Sequence, residues 1–135
     1  MKSFVNVILF DRRGRILLQK RDDNPLIYYP GHWGIFGGQI EKSESPDRAA
    51  IREIDEELIY KMTHCSLLKK FIFDKQRTDY LLIELNPIQI TDLKLSEGRC
   101  MKFFTKSSIK KIKKIVPNDR TLLDYYFSIF KPHLL

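Results

Sequence analysis

The segment that most restricts what this chain can become starts at Ser45-Pro46-Asp47. A serine able to cap, a proline with φ already fixed for the first helical position and an acid in the first turn together begin a helix. Ala49, Ala50, Ile51, Ile54 and Leu58 carry it to about residue 58 with an apolar stripe that needs a partner layer. The same helix holds Asp47, Glu53, Asp55, Glu56 and Glu57 against only Arg48 and Arg52. Residues three and four apart share a helical face, so Glu53, Glu56 and Glu57 point the same way, each like-charge pair costing a few tenths of a kcal/mol. Such a face is a wet surface, a set of local pairs with arginine, or the wall of a hard-cation site. Carboxylate oxygens on one rigid element suit Mg2+, with Mn2+ the close substitute.

Around that helix the chain reads as strands and further helices. Phe4 to Phe10 and Ile16 to Arg21 are rich in branched and aromatic residues and flank Asp11-Arg12-Arg13-Gly14-Arg15, which predicts a hairpin. Asp22 to Gly31 is a loop, and Trp33 to Glu41 a short strand around Gly37-Gly38. Cys65 to Phe73 and Tyr80 to Asn86 predict a second hairpin, and Arg99 to Thr105 a further strand. Ser107 to Ile115 reads as a basic helix, Val116 to Asp119 as a break, and Arg120 to Phe130 as a closing helix. That last helix turns Leu122, Leu123, Tyr126, Phe127 and Phe130 to the core. Hairpins around a central helix imply an α/β fold with a mixed sheet and helices packed on it.

With 135 residues there is room for one domain, 1–135, and 43% hydrophobic residues suffice for a core. No apolar run approaches the ~18 residues of a membrane span. The N-terminal apolar stretch, interrupted by Asn6 and running into Asp11-Arg12-Arg13, suits a first strand better than a signal peptide. Cys65 and Cys100 form neither a zinc spacing nor a disulfide framework, so a reducing, cytoplasmic location is expected. Lys and Arg exceed Asp and Glu by 24 to 17, a formal +7, which calls for an anionic partner without naming it.

Spacing decides what the acidic helix is for. Gly38, five residues, Glu44, seven residues, then Arg52-Glu53-Ile54-Asp55-Glu56-Glu57 resembles the signature of the Nudix hydrolase family, and its first seven defined positions match. A chance match in a chain of this length is on the order of one in a million. Trp33 and Gly37-Gly38 also resemble the family's approach to this box. Two positions depart: Ile59 stands for the glycine that ends the helix in left-handed conformation, and Phe36 for a frequent proline. A β-branched residue resists positive φ, so the turn after the helix is expected to be built differently, by extending the helix.

The resemblance implies an α/β/α sandwich with a mixed, curved sheet and helices on both sides. It implies divalent ions on Glu53, Glu56 and Glu57 with the carbonyl of Gly38 as a further ligand, Arg52 holding a glutamate, and Glu44 pairing with Arg52 structurally. Glu56, Glu57 or the loop residue Glu97 would take a proton from the attacking water. Arg21, ahead of Lys20, would meet substrate phosphates, Gly37 and Gly38 would let the main chain approach them, and Tyr28 would stack on a base. Tyr29, Phe36 and Tyr80, like Tyr28, could stack on a base, although aromatics in this setting are more often core or loop packing, and His32, His64 and His133 form no triad with a nucleophile. Lys106 to Lys114 reads as the wet face of an amphipathic helix, with RNA contact the sharper reading.

The implied activity is metal-dependent hydrolysis of a pyrophosphate linkage in a nucleoside diphosphate derivative, such as a (deoxy)nucleoside triphosphate or a nucleotide sugar. The expected partner is therefore a nucleotide-type small molecule, with no membrane and no defined oligomeric state. The alternative is a non-catalytic module of the same fold that binds a nucleotide or RNA.

Overall fold

The computed structural model describes residues 2–94 and 100–130. Its elements, in chain order, are β1 (Lys2–Ile8), β2 (Ile16–Lys20), β3 (Trp33–Gly34), β4 (Phe36–Gln39), α1 (Pro46–Leu58), β5 (Cys65–Phe73), β6 (Arg77–Glu84), β7 (Cys100–Phe104), α2 (Lys106–Lys111) and α3 (Pro117–Ile129). A 3-10 turn at Ile90–Asp92 precedes β7.

The strands form two sheets, ordered β4-β1-β6-β5 and β3-β2-β7. The first is mixed, since β1 runs parallel to β6 and antiparallel to β4. Side chains alternate across a strand, and here that alternation sorts the apolar residues into two cores. Val5, Val7 and Leu9 face one way with Leu17, Leu82 and Phe36, and meet Ala49, Ala50, Ile54 and Leu58 of α1. Ile8 and Phe10 face the other way with Ile16, Leu18, Leu81 and Ile83, and meet Ile109 of α2 and Leu122, Leu123 and Tyr126 of α3. The result is a three-layer sandwich with α1 on one side of the strands and α2 and α3 on the other.

Several sequence expectations need correction. Phe4–Phe10 and Ile16–Arg21 turn back antiparallel only around the Phe10–Ile16 bridge, with the Leu17 N–H donating to the Leu9 carbonyl at 2.9 Å, and the hairpin ladder goes no further because β1 and β2 enter different sheets. The segment around Gly37-Gly38 is not one strand either. It switches sheets at Ile35, so β3 pairs with β2 while β4 pairs with β1. Ile51 lies 40% exposed rather than in the core. The basic helix is shorter than expected, ending at Lys111, while the closing helix starts earlier, at Pro117. That proline occupies the first helical turn, where its missing N–H costs nothing.

The turn after α1 does not extend the helix. Ile59 itself takes the left-handed conformation, φ 51° and ψ 46°, and its N–H still donates to the Asp55 carbonyl at 2.9 Å. The family's helix-ending geometry is thus kept without the family's residue. The turn continues into residues 63–64, whose backbone N–H groups donate to the buried Glu84 carboxylate at 2.7 and 2.8 Å.

Candidate active site

The site is assembled where β4 meets α1. Val5 pairs with Gly38 and Asn6 with Gly37 across the β1–β4 ladder. A side chain at Gly37 would run into the Val5 carbonyl, so close approach of the two strands requires glycine there. At Gly38 the constraint comes from the helix, since a Cβ would fall on the carboxylate of Glu53. The missing side chain is therefore the space in which an α1 carboxylate lies against the main chain of β4.

Arg52 organises the acids. Its Nε and Nη2 donate to both oxygens of Glu44 at 2.7 and 2.8 Å, a forked, charge-assisted pair. Nη1 donates to Glu53 Oε1 at 2.9 Å, and Nη2 also reaches the Gln39 carbonyl at 3.1 Å. One guanidinium thus joins the loop before α1, the end of β4 and a candidate metal-binding carboxylate. The hydrogen bonds from Arg52 pull the Glu44 carboxyl down to about 2, helped by the Glu41 backbone N–H at 2.9 Å. The arginine is pushed upward in turn, first by its bond to Glu44.

The three glutamates of the face differ in setting. Glu53 is 16% exposed and held by Arg52, whereas Glu56 is 60% exposed and only 3.5 Å from Arg52 Nη1. Glu57 is half-buried, with its Oε2 shielded from solvent. The available donors are carboxylate and main-chain oxygens, which is the chemistry of a hard divalent cation. The space that a Cβ at Gly38 would fill places one of those carboxylates against the main chain. Among the described residues no three acidic, His or Cys side chains form a finished cage, so cation binding would have to draw Glu53 and Glu56 toward each other. In donor type the residues fit a hard divalent cation.

The remaining expected residues are distributed as follows. Arg21, at the end of β2, donates through Nε to the Tyr28 carbonyl at 2.8 Å. The Tyr28 ring is 85% exposed on the same loop. Glu97 lies outside the described residues.

Sequence reasoning missed a second polar group. Asp79 is fully buried on β6 and accepts from Asn6 Nδ2 at 2.9 Å and from Arg77 Nε and Nη2 at 2.7 and 3.1 Å. The Arg77 guanidinium lies 3.8 Å over the Phe4 ring, and Phe4 pairs with Gln39 at the end of β4. Nearby Asp119, read from sequence as part of a break, sits in the first turn of α3 and accepts from the Ile35 N–H at 2.9 Å. Burial raises its carboxyl to about 7 against the pull of that N–H, with the Asp79 charge adding to the rise and Arg77 and Arg21 opposing it. A side chain at Gly34 would strike Asp119, so the glycine admits the carboxylate to the point where the chain changes sheets. Only this last feature had a sequence signal, an isolated glycine inside a strand pattern.

A mixed-sheet sandwich with a glycine-fronted acidic helix is the architecture that the sequence resemblance implies. The model of the NUDIX domain matches residues 2–126, and the chain belongs to that family. It is 31% identical over 68 residues to an 8-oxo-dGTP diphosphatase of Proteus vulgaris, covering 50% of this chain and 58% of that protein. It is 28% identical over 114 residues to an uncharacterized Nudix hydrolase of Listeria monocytogenes, covering 81% of this chain and 66% of that one. The chain thus spans less than two thirds of the length of these curated relatives. Among solved structures, one from a study of MutT from Aliivibrio salmonicida and Vibrio cholerae superposes with a TM-score of 0.80 at 20% identity. That match covers 96% of this chain and 98% of the other, and establishes the shared fold.

Proposed function

We propose that this protein is a divalent-metal-dependent pyrophosphohydrolase that cleaves a pyrophosphate linkage in a nucleoside diphosphate derivative. The observation that carries the reading is the Arg52 hub, which holds Glu44 and Glu53 beside a β4 main chain kept bare by Gly37 and Gly38. A (deoxy)nucleoside triphosphate or a nucleotide sugar is the substrate class proposed, the former supported by the likeness to an 8-oxo-dGTP diphosphatase.

Glu53, Glu56, Glu57 and the Gly38 carbonyl would hold the cation. When bound, Mg2+ or Mn2+ would neutralise phosphate charge and lower the pKa of water. The chain's own residues supply the rest. Gly38 admits the Glu53 carboxylate to the main chain of β4, and Arg21 places positive charge just past the end of β2. Glu56, the most exposed carboxylate of the three whose exposure ranges from held to open, is free to accept a proton, while Arg52 fixes Glu53. Glu57 and Glu97 are the other candidates for that proton. Tyr28 offers an exposed ring to a base. Two unpaired thiols, Cys65 and Cys100, support a cytoplasmic site of action, and among the described residues no helix is long and apolar enough to cross a membrane.

A nucleotide panel with Mg2+, read as nucleoside monophosphate or phosphate release, tests the reading. Wild type should turn over at least one substrate, EDTA should abolish turnover, and Glu56→Gln and Glu57→Gln should each lower kcat by about 100-fold or more. Binding of nucleotide or RNA without metal and without turnover on any substrate would replace the enzyme with the non-catalytic module.

A further inference from the structure

The loop at residues 11–15, the start of α2 and the last turn of α3 enclose a pocket of about 180 Å3. A cavity of ~150 Å3 accommodates a benzene ring, so this one has room for a single flat ring. Tyr126, Phe127 and Phe130 line it, together with Arg13, Arg15 and Lys106, and no acidic side chain does. Lys106 Nζ stands 5.8 Å from the Phe127 ring centroid.

The cations are not equivalent. Asp11 accepts from the N–H groups of Arg13 and Arg15 at 3.0 and 2.9 Å and from Arg15 Nε at 2.7 Å, which fastens the loop and neutralises Arg15. Arg13 makes no ion pair among the described residues, so its charge and that of Lys106 face the pocket uncompensated. Deeper in, Tyr126 is 2% exposed and packs on Phe127 and Phe130 at 5.2 and 5.0 Å between ring centroids. Its phenol is one of the groups that line the pocket. Burial pushes the phenol up to about 12, so it stays a neutral donor.

The pocket is separate from the Gly38–Glu57 site. Gly38 pairs with Val5 at the middle of β1, whereas the pocket loop begins at Asp11, six residues further along the chain. At ~3.3 Å per residue of extended chain, Val5 and Asp11 lie roughly 20 Å apart.

We propose that this pocket binds a small aromatic phosphate, the ring between Tyr126, Phe127 and Phe130 and the phosphate on Arg13 and Lys106. The Tyr126 hydroxyl donates to the ligand. The test titrates phenyl phosphate, and in parallel inorganic phosphate, into the full 15N-labelled chain in EDTA. Saturable amide shifts are expected at Gly14, Lys106 and Phe127 and not at Gly38, Arg52 or Glu57. Inorganic phosphate should bind at least about tenfold more weakly, and Arg13→Glu with Lys106→Glu should weaken phenyl phosphate by about tenfold or more at an unchanged Tm. Tyr126→Phe should weaken it several-fold, and Arg13→Gln alone serves if the double variant is unstable. Shifts confined to the Gly38–Glu57 region, equal affinity for inorganic phosphate, or unchanged affinity in the charge variants would overturn the proposal.

Discussion

At the scale of single residues, Arg52 is the position on which the candidate site turns. Its planar fork serves Glu44, Glu53 and the Gln39 carbonyl at once, a geometry that an ammonium group cannot reproduce. Arg52→Lys should therefore lose most of the activity, by about 100-fold in kcat/KM, and Arg52→Ala should lose more. Both should also lower Tm, as differential scanning fluorimetry would record. Asp119 makes a prediction of opposite character. Its folded carboxyl, raised to about 7 from 3.8, binds a proton that the unfolded chain has already released. The stability it contributes is full below the unfolded value and falls as pH rises through the folded one. Urea unfolding from pH 4 to pH 8 should show that decline over about pH 4–7, and Asp119→Asn should flatten it. Arg52 and Glu44 were legible in the sequence because both belong to a spaced signature. Asp119 and Asp79 were not, because a single acid among other polar residues forms no pattern until partners distant in sequence, Ile35 for one and Asn6 for the other, close on it.

At the scale of elements, α1 was readable from end to end and its exit was not. Ser45 caps it by accepting from the Arg48 N–H at 3.4 Å, and Pro46 opens it, as the residues predict. Ile59 then adopts the left-handed conformation that its branched side chain disfavours, at ~1–2 kcal/mol relative to glycine. Its side chain is 61% exposed, so little packing would be lost by removing it. Ile59→Gly should accordingly raise Tm by about 3–5 °C, with activity retained. The curtailed β1–β2 hairpin has a similar lesson. Local composition identified both strands and the loop between them, but composition does not say that Phe10 and Ile16 form the last bridge before the chains part. Which sheet a strand joins depends on partners such as β6 and β7, which lie far along the chain.

At the scale of the whole molecule, two cores share the strands between them. Ile54 is fully buried in the core beneath α1, and that helix also carries the candidate catalytic face. Ile54→Ala should cost about 2–5 kcal/mol and lower activity along with stability, seen as parallel losses in urea titration and turnover. Cation binding should act in the other direction. Mg2+ at ~100 times its Kd would add about 2.7 kcal/mol, and Glu56→Gln with Glu57→Gln should remove most of the resulting rise in Tm. The +7 charge of the sequence also gains a layout. Acids converge on one helix, while Arg13 and Lys106 stand at the far end of β1. The β1 strand has a consequence in time as well as in space. It leaves the ribosome well before β6, yet Val5 is paired with Tyr80 on one side and Gly38 on the other. At ~5–20 residues per second, its parallel partner follows only several seconds later. Through that interval the β6 edge of a strand carrying Val5, Val7 and Ile8 waits unpaired, so nascent chains stalled before β6 should be the species that chaperones hold and proteases cut.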